Sequence, residues 1–154
     1  VNIALIYKDT PVLGVVYAPA LNVCYWAKQG EGAFKDGKQL PLKTGDQRNT
    51  HKIVVSRSHM SDETQTFIDA IDTDKEKELI SIGSSLKICL VAEGEADIYP
   101  RLGPTMEWDT GAAHSIVEES SASFKRHTKN GLYFQHLYNK PDLLNNWFVV
   151  RAET

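Results

Sequence analysis

The residues best suited to chemistry lie in the run Met106–His114, which reads Met-Glu-Trp-Asp-Thr-Gly-Ala-Ala-His. Asp109 immediately precedes a predicted helix over residues 110–119, so its carboxylate could accept backbone N–H bonds at the helix start. The same position would aim a rigid carboxylate outward, beside N–H groups that attract anions. Mg²⁺ is commonly held by one or two carboxylates together with a substrate phosphate. A helix cap and a metal ligand are therefore both open interpretations of Asp109.

A second candidate cluster is Gly83-Ser84-Ser85-Leu86-Lys87, at another predicted strand-to-helix turn. Gly83 would let a ligand approach the backbone. The hydroxyls of Ser84 and Ser85 could donate to a phosphate, and Lys87 adds positive charge one turn later. An ordinary capped helix with a solvated lysine would also explain this run.

Two isolated residues complete the candidate set. Arg101 follows a predicted strand over residues 96–99, and it is either a surface charge or a phosphate-binding fork. His59 lies between serine-containing turns, and it is either a loop residue or a donor to a ligand. Each signal is weak alone, but several anion-suited residues at element ends predict an anion site facing Asp109.

The elements that would position these residues follow from the hydrophobic pattern. Residues 1–40 predict an antiparallel meander, with strands over 1–7, 12–17, 23–27 and 33–34 and a hairpin turn at Asp36-Gly37. From residue 53 onward, strands and helices alternate. The strands are predicted over 53–56, 78–82, 96–99, 132–134 and 147–150, and the helices begin at Ser61, at Ser84 or Ser85, and at Thr110. This pattern predicts a layered α+β or α/β fold in a single domain spanning residues 1–154.

Composition limits the classes of partner. Seventeen basic and twenty acidic side chains give a formal charge of −3, so non-specific binding to DNA, RNA or an anionic membrane is not expected. A small anionic ligand remains compatible, because cations can cluster locally. No apolar run approaches the roughly 20 residues of a membrane span, and no signal peptide is visible. With two cysteines in apolar segments, these features predict a cytoplasmic protein.

Several other catalytic classes have no support. The sequence lacks Gly-x-Ser-x-Gly, a Walker loop, His-Glu-x-x-His and Cys-x-x-Cys, and its five histidines have no metal-ligand spacing. Nucleophilic catalysis by Ser or Cys is therefore not predicted.

Several motifs resemble one known family. The run from Trp108 through Ala113, followed by Ile116-Val117-Glu118, is similar to the second signature of the lithium-sensitive inositol monophosphatase superfamily, Trp-Asp-x-Ala-Ala. The residues 83–87 and 93–101 resemble more closely its branch of 3'(2'),5'-bisphosphate nucleotidases, and so does the ending 138–145. The resemblance covers essentially the whole chain.

The resemblance implies a fold, a reaction and a set of roles. It implies the C-terminal part of an inositol monophosphatase-like fold, in which Mg²⁺ ions bind the scissile phosphate and activate a water for in-line attack. The implied substrate is a small phosphorylated nucleotide, adenosine 3',5'-bisphosphate, which loses its 3'-phosphate to give AMP. Asp109 matches the catalytic metal ligand of the second signature. The positions matching nucleotide or phosphate contacts lie in and around the second cluster: His59, Gly83, Ser84, Ser85, Lys87 and Arg101.

The sequence also departs from the family pattern, and these departures predict low activity and self-association. The first signature, Asp-Pro-x-Asp-Gly-Thr, and an upstream Glu are missing, and the later Gly-Gly is replaced by Ser121-Ala122. Asp109 alone cannot hold two dications against their repulsion, so little or no phosphatase activity is expected of this chain by itself. Because Val1 already reads as part of a strand, we expect an N-terminally truncated domain whose exposed sheet edge favours self-association.

Two other functions remain open. The first is a non-catalytic module of the same fold that binds a nucleotide or another anion without metal. The second is an inositol monophosphate phosphatase. Lys87 and Arg101 make the second less favoured, because a monophosphate needs no further anion site.

Overall fold

The computed structural model describes residues 1–58 and 60–152, in which eleven strands and three α-helices form. The helices are α1 (Asp62–Asp69), α2 (Leu86–Ala92) and α3 (Glu107–Glu119). The strands are β1 (Asn2–Tyr7), β2 (Thr10–Ala18), β3 (Val23–Lys28), β4 (Gly32–Lys35), β5 (Lys38–Gln39), β6 (Thr50–Val55), β7 (Glu76–Ser81), β8 (Ile98–Arg101), β9 (Ser123–His127), β10 (Tyr133–Gln135) and β11 (Phe148–Arg151).

The first sheet is the meander predicted from residues 1–40. Its order is β1-β2-β3-β4-β5, and each strand pairs antiparallel with the next. Asp36 and Gly37 turn the chain between β4 and β5 with φ angles of 47° and 83°. Two successive positive φ angles match the type I' turn that the Asp-Gly pair predicts.

The second sheet is mixed and has the order β10-β9-β11-β8-β6-β7. β6 pairs in parallel with both β7 and β8, whereas β11 pairs antiparallel with β8 and β9. The parallel part corresponds to the predicted alternation of strands and helices, because a parallel neighbour needs a crossover connection.

Helices α2 and α3 lie between the two sheets. One hydrophobic core joins Val16 of β2, Ile88 of α2, Ile116 of α3 and Val150 of β11, all at most 2% exposed. The first sheet approaches α3 closely: a Cβ at Gly14 would lie 2.2 Å from the carbonyl oxygen of Ala112. Glycine at position 14 is therefore required by packing, which brings α3 directly onto the sheet.

Helix α1 covers the other face of the second sheet. Ile68 of α1 packs with Ile53, Ile98 and Val149 in a separate core cluster. The molecule is thus layered as sheet, helices, sheet and helix, which confirms the predicted layered fold. Within residues 1–58 and 60–152, no helix has the length and apolar character needed to cross a bilayer.

The first sheet has an uncovered apolar face on the side away from α3. Ile3, Val15, Trp26 and Phe34 lie in register across β1 to β4, and the last two rings stack with centroids 4.5 Å apart. Ile3 is 58% exposed and Trp26 is 37% exposed. We call this row, together with Leu5 and Tyr7, the apolar face.

Two local predictions need correction. Helix α3 begins at Glu107 rather than at Thr110, because the Asp109 carboxylate accepts the Met106 N–H and so caps a helix that starts one turn earlier. Strand β9 was not predicted at all. Ser121, in the turn before it, takes a positive φ of 69°.

Candidate active site

One cleft collects most of the predicted site residues. It has a volume of about 240 Å³ and lies where the start of α2, the end of β8 and the start of α3 meet. Its lining combines predicted and unpredicted residues: Ser84, Ser85, Lys87, Ile88, Tyr99, Arg101, Pro104, Thr105, Asp109, Thr110 and Phe148. The structure therefore brings Ser84, Ser85, Lys87, Arg101 and Asp109 together.

Two predicted residues are not placed in this lining. Gly83 does not line the cleft, and a Cβ added there would meet no atom within 4 Å, so packing does not require glycine. His59 lies outside the residues that the structure describes.

The serines before α2 have different environments. Ser85 occupies the N-cap position, as predicted, but its hydroxyl does not cap the helix and instead donates to Asn2 Oδ1 at 2.7 Å. Ser84 has a positive φ of 58°. This left-handed conformation costs a non-glycine residue about 1 kcal/mol or more, and such strain is often found at functional sites. Ser84 is thus a strained residue at the wall of the cleft.

Lys87 is a largely buried cation. It is only 8% exposed, and its Nζ lies 5.7 Å from the ring centroid of Tyr99. Burial lowers the pKa of Lys87, and the nearby positive charge of Arg101 lowers it further. The ammonium group is therefore poorly compensated by its surroundings, and an anion in the cleft would stabilise its charged form.

Arg101 has unused hydrogen-bonding capacity. Its Nη2 donates to the carbonyl oxygen of Pro104 at 3.2 Å, while its Nε is buried and finds no acceptor among the described residues. A buried donor without an acceptor costs about 1–3 kcal/mol, and more for a charged group. A phosphate oxygen in the cleft is the kind of acceptor that would remove this cost.

Asp109 serves as a cap and also faces the cleft. One carboxylate oxygen accepts the Met106 N–H at 2.8 Å, which fixes the side chain at the third residue of α3. The residue is nevertheless exposed and lines the cleft. Both interpretations drawn from the sequence are thus compatible with one geometry.

The acidic groups near Asp109 limit what metal the cleft could hold. Across residues 1–58 and 60–152, no group of three or more His, Cys, Asp or Glu side chains is placed to bind a metal ion. The neighbouring Glu107 is occupied, because it accepts N–H bonds from Asn139 and Lys140 and pairs with the Lys140 ammonium at 2.6 Å. This donor set fits one Mg²⁺ shared between Asp109 and a phosphate, but it does not fit a pair of dications.

A larger cavity adjoins the cleft. It has a volume of about 380 Å³ and shares Tyr99, Arg101 and Pro104 with the cleft. The rest of its lining is largely apolar or hydroxylated: Ser56, Met60, Ser61, Thr64, Pro100, Leu102 and Gly103. The cleft and this cavity are therefore neighbours that share three lining residues, and the cavity is the less polar of the two.

Sequence reasoning missed three polar residues of the cleft. Tyr99 could have been found, since it lies two residues before Arg101 and strand alternation puts both side chains on one face. Thr110 is adjacent to Asp109 and is only 1% exposed. Thr105 carries no local signal, because its position depends on a contact with the C-terminal segment.

The chain is similar to known proteins of one family. A family model described as the inositol monophosphatase family matches residues 1–147. A curated relative from Salmonella typhimurium, named 3'(2'),5'-bisphosphate nucleotidase CysQ, is 48% identical over 124 residues, covering 79% of this chain and 48% of the relative. The CysQ of Buchnera aphidicola is 36% identical over 159 residues, covering 99% of this chain and 56% of the relative.

A solved structure agrees with these matches. The crystal structure of CysQ from Bacteroides thetaiotaomicron, titled a bacterial member of the inositol monophosphatase family, has a TM-score of 0.87 and 40% identity. The match covers 99% of this chain and 62% of that one. The chain spans about half the length of the curated relatives it matches. The predicted resemblance is confirmed, and the chain belongs to the inositol monophosphatase family.

Proposed function

We propose that this chain forms part of a Mg²⁺-dependent phosphomonoesterase that removes the 3'-phosphate of adenosine 3',5'-bisphosphate and leaves AMP. The observation that carries the proposal is the convergence of Ser84, Lys87, Arg101 and Asp109 on one cleft of about 240 Å³. Relatives named 3'(2'),5'-bisphosphate nucleotidase, 36–48% identical to this chain, support it independently.

The two cations give the site its preference for a substrate with two phosphates. Lys87 and the unsatisfied Nε of Arg101 would bind one phosphate, and the Ser84 hydroxyl would donate to the same group. Their charge exceeds what a single phosphate beside a metal requires. The two cations therefore favour a nucleotide bisphosphate over an inositol monophosphate.

The adjoining cavity would hold the nucleoside. Its shared wall with the cleft lets one ligand place a phosphate beside Arg101 and a flat ring against Tyr99, Met60 or Leu102. Stacking and apolar burial would fix the orientation of the nucleotide, so that the scissile phosphate lies toward Asp109.

Asp109 would hold the metal together with the scissile phosphate. The Met106 N–H keeps its carboxylate in a fixed orientation, while its exposure leaves it open to a ligand. A bound Mg²⁺ would supply the positive charge that polarises the phosphate ester and lowers the pKa of a water molecule.

Because the chain would supply the nucleotide contacts but only one metal ligand, it is insufficient for turnover by itself. Asp109 is one carboxylate, and the described residues contain no cluster of three or more His, Cys, Asp or Glu side chains that could hold a metal. We propose that residues 1–154 are a single domain that provides the nucleotide side of the site and lacks the first metal motif. Little or no phosphate release is expected from the chain alone.

Turnover can be tested by joining the chain to an upstream half that carries Asp-Pro-x-Asp-Gly-Thr. Magnesium-dependent phosphate release from adenosine 3',5'-bisphosphate is expected, and Asp109→Asn should abolish it because loss of a metal ligand costs several kcal/mol. Glu118→Gln, on a distant part of α3, is the matched control. Turnover within about tenfold of the unsubstituted protein after Asp109→Asn would exclude the metal role.

A non-catalytic nucleotide-binding module is the second candidate. The observation that favours it is the lack of a multi-residue metal group among the described residues. This candidate predicts that the chain binds adenosine 3',5'-bisphosphate equally well in EDTA and in Mg²⁺. The phosphatase proposal instead predicts tighter binding in Mg²⁺, with the increase lost in Asp109→Asn. Calorimetry with no saturation at millimolar ligand under either condition would exclude both.

We also propose self-association through strand β1. This strand lies at the edge of the first sheet, contains no charged residue between Asn2 and Tyr7, and exposes Ile3 and Leu5 at 58% each. Uncharged edge strands pair readily with other strands. A second copy of the chain could extend the sheet through β1 and cover part of the apolar face.

A further inference from the structure

We infer that Asn145 is a positioning residue that sets the geometry between Arg101 and Asp109, an inference that rests on the proposed function of the cleft. Asn145 lies in the C-terminal segment, is 5% exposed and does not line the cleft. Its influence would act entirely through the segment 104–110, which carries one wall of the cleft.

The Asn145 amide nitrogen contacts the start of α3 at three points. Nδ2 lies 3.1 Å from Thr105 Oγ1, 2.8 Å from the Met106 carbonyl oxygen and 3.0 Å from Thr110 Oγ1. The Asn145 backbone N–H also donates to the Thr105 carbonyl oxygen at 2.8 Å. These contacts bracket the position of Asp109 on both sides.

The same segment controls both charged residues of this wall. Met106 is the donor that fixes the Asp109 carboxylate, at 2.8 Å. Pro104, immediately before Thr105, accepts the hydrogen bond from Arg101 Nη2 at 3.2 Å. A displacement of residues 104–106 would therefore move the partners of Arg101 and Asp109 together.

Asn145 is itself held by a buried network. His136 Nε2 lies 3.2 Å from Asn145 Oδ1, and Tyr138 donates from its hydroxyl to Thr110 Oγ1 at 3.1 Å. His136 and Tyr138 are 2% and 3% exposed. Both polar atoms of the Asn145 side chain have partners, which defines the orientation of its amide.

Lys87 is not held by the segment 104–110. It is carried by α2, and none of the Asn145 contacts described above involves that helix. Asn145 should therefore couple to Arg101 and Asp109, and not to Lys87. This selectivity separates positioning from general destabilisation, which would weaken all contacts alike.

The ligand-free chain provides the first test. Amide hydrogen exchange should rise by about tenfold or more over residues 105–110 in Asn145→Ala and in the similarly sized Asn145→Leu, with residues 86–92 unchanged. Asn146→Ala is the matched control, since the adjacent Asn146 is exposed. Equal changes in both segments, or none at 105–110, would overturn the inference. If neither Asn145 variant folds, Thr105→Val can be used instead, because it removes the Thr105 hydroxyl that accepts from Asn145 Nδ2. The inference then requires the same rise in exchange over residues 105–110, with residues 86–92 unchanged.

A double-mutant cycle tests the consequence for binding, with adenosine 3',5'-bisphosphate as the probe. Asn145→Ala should weaken binding by about tenfold in the parent chain, because small misplacements of binding groups have large effects. The loss should shrink below about threefold when Arg101 is already alanine, and stay near tenfold when Lys87 is already alanine. Additivity with Arg101→Ala would overturn the inference. If the parent binds no ligand, the proposed function fails, and the exchange experiment still decides the role of Asn145.

Discussion

The cleft and the apolar face depart from an ordinary protein surface in opposite ways. In the cleft, Lys87 is 8% exposed and a buried Arg101 nitrogen has no acceptor among the described residues. On the apolar face, Ile3 and Leu5 are each 58% exposed, although they belong to a regular sheet. The cleft buries positive charge that an anion would compensate. The apolar face exposes hydrophobic side chains that another protein surface would cover. The two regions therefore differ in the chemistry of the partner each requires.

The largest effect is expected from Arg101→Ala in the cleft. Loss of a charge-assisted hydrogen bond should weaken binding of adenosine 3',5'-bisphosphate by up to about 3 kcal/mol. Leu5→Lys on the apolar face is the control and should leave this affinity unchanged. Calorimetry would measure both. An equal loss in the two variants would show that the regions are not independent.

A substitution on the apolar face should affect only self-association of the chain. Leu5→Lys places a charge on the β1 edge and should weaken self-association by about 2 kcal/mol, measured by light scattering across concentrations. Leu79→Lys is a matched control, because Leu79 is 48% exposed on β7, whose sequence already carries Glu76, Lys77 and Glu78. A monodisperse monomer at high concentration before any substitution would contradict the association proposal.

The buried His136, which follows β10 and packs near His114 of α3, should make the fold sensitive to acid. Burial lowers the pKa of His136 to about 3, from an ordinary value of 6.5. The unfolded chain therefore binds more protons between these pH values, so stability is complete above pH 6.5 and falls toward pH 3 by about 1.4 kcal/mol per pH unit. His136→Gln should reduce this slope in urea unfolding at pH 6.5 and pH 5. If the unfolding free energy of His136→Gln depends on pH as steeply as that of the unsubstituted chain, other groups cause the acid sensitivity.

The affinity of the cleft should depend on alkaline pH. Burial and Arg101 lower the pKa of Lys87, and a bound phosphate would raise it again. Binding is therefore strongest below the depressed pKa of the free chain and should weaken several-fold as the pH rises through it. Lys87→Met should bind more weakly and lose this dependence. A pH-independent affinity in the unsubstituted chain would argue against Lys87 as a ligand contact.

The smallest effect is expected at Ser84, with opposite signs for stability and binding. Ser84→Gly relieves the positive φ of 58° and should stabilise the fold by about 1 kcal/mol, while loss of the hydroxyl weakens binding. Lys8→Gly is the control, since Lys8 has the same φ of 58° outside the cleft. It should raise the urea midpoint without changing affinity. Unchanged binding in Ser84→Gly would exclude the hydroxyl as a donor.

Local sequence singled out those residues of the cleft that lie at the ends of elements. Ser84, Lys87 and Asp109 follow turn, cap and charge signals that act over a few residues, and the structure places all three in one cleft. The meander was also predictable, because its strands pair with their neighbours in sequence.

Features that depend on distant contacts were not predictable in this way. Strand β9 carries a single large apolar residue, Phe124, among polar and charged neighbours, and its pairing with β11 gives no local signal. Thr105 is placed by Asn145, forty residues later. Likewise, the burial of α3 between two sheets follows from tertiary packing that the helical period alone does not reveal.

A crystal structure of the chain with adenosine 3',5'-bisphosphate and Mg²⁺ would show whether the cleft binds the nucleotide as proposed. The account predicts one phosphate between Lys87 and Arg101, within hydrogen-bond distance of Arg101 Nε, and the other phosphate on the side of Asp109. A nucleotide bound elsewhere, with Lys87 and Arg101 unchanged and making no contact with it, would contradict the account.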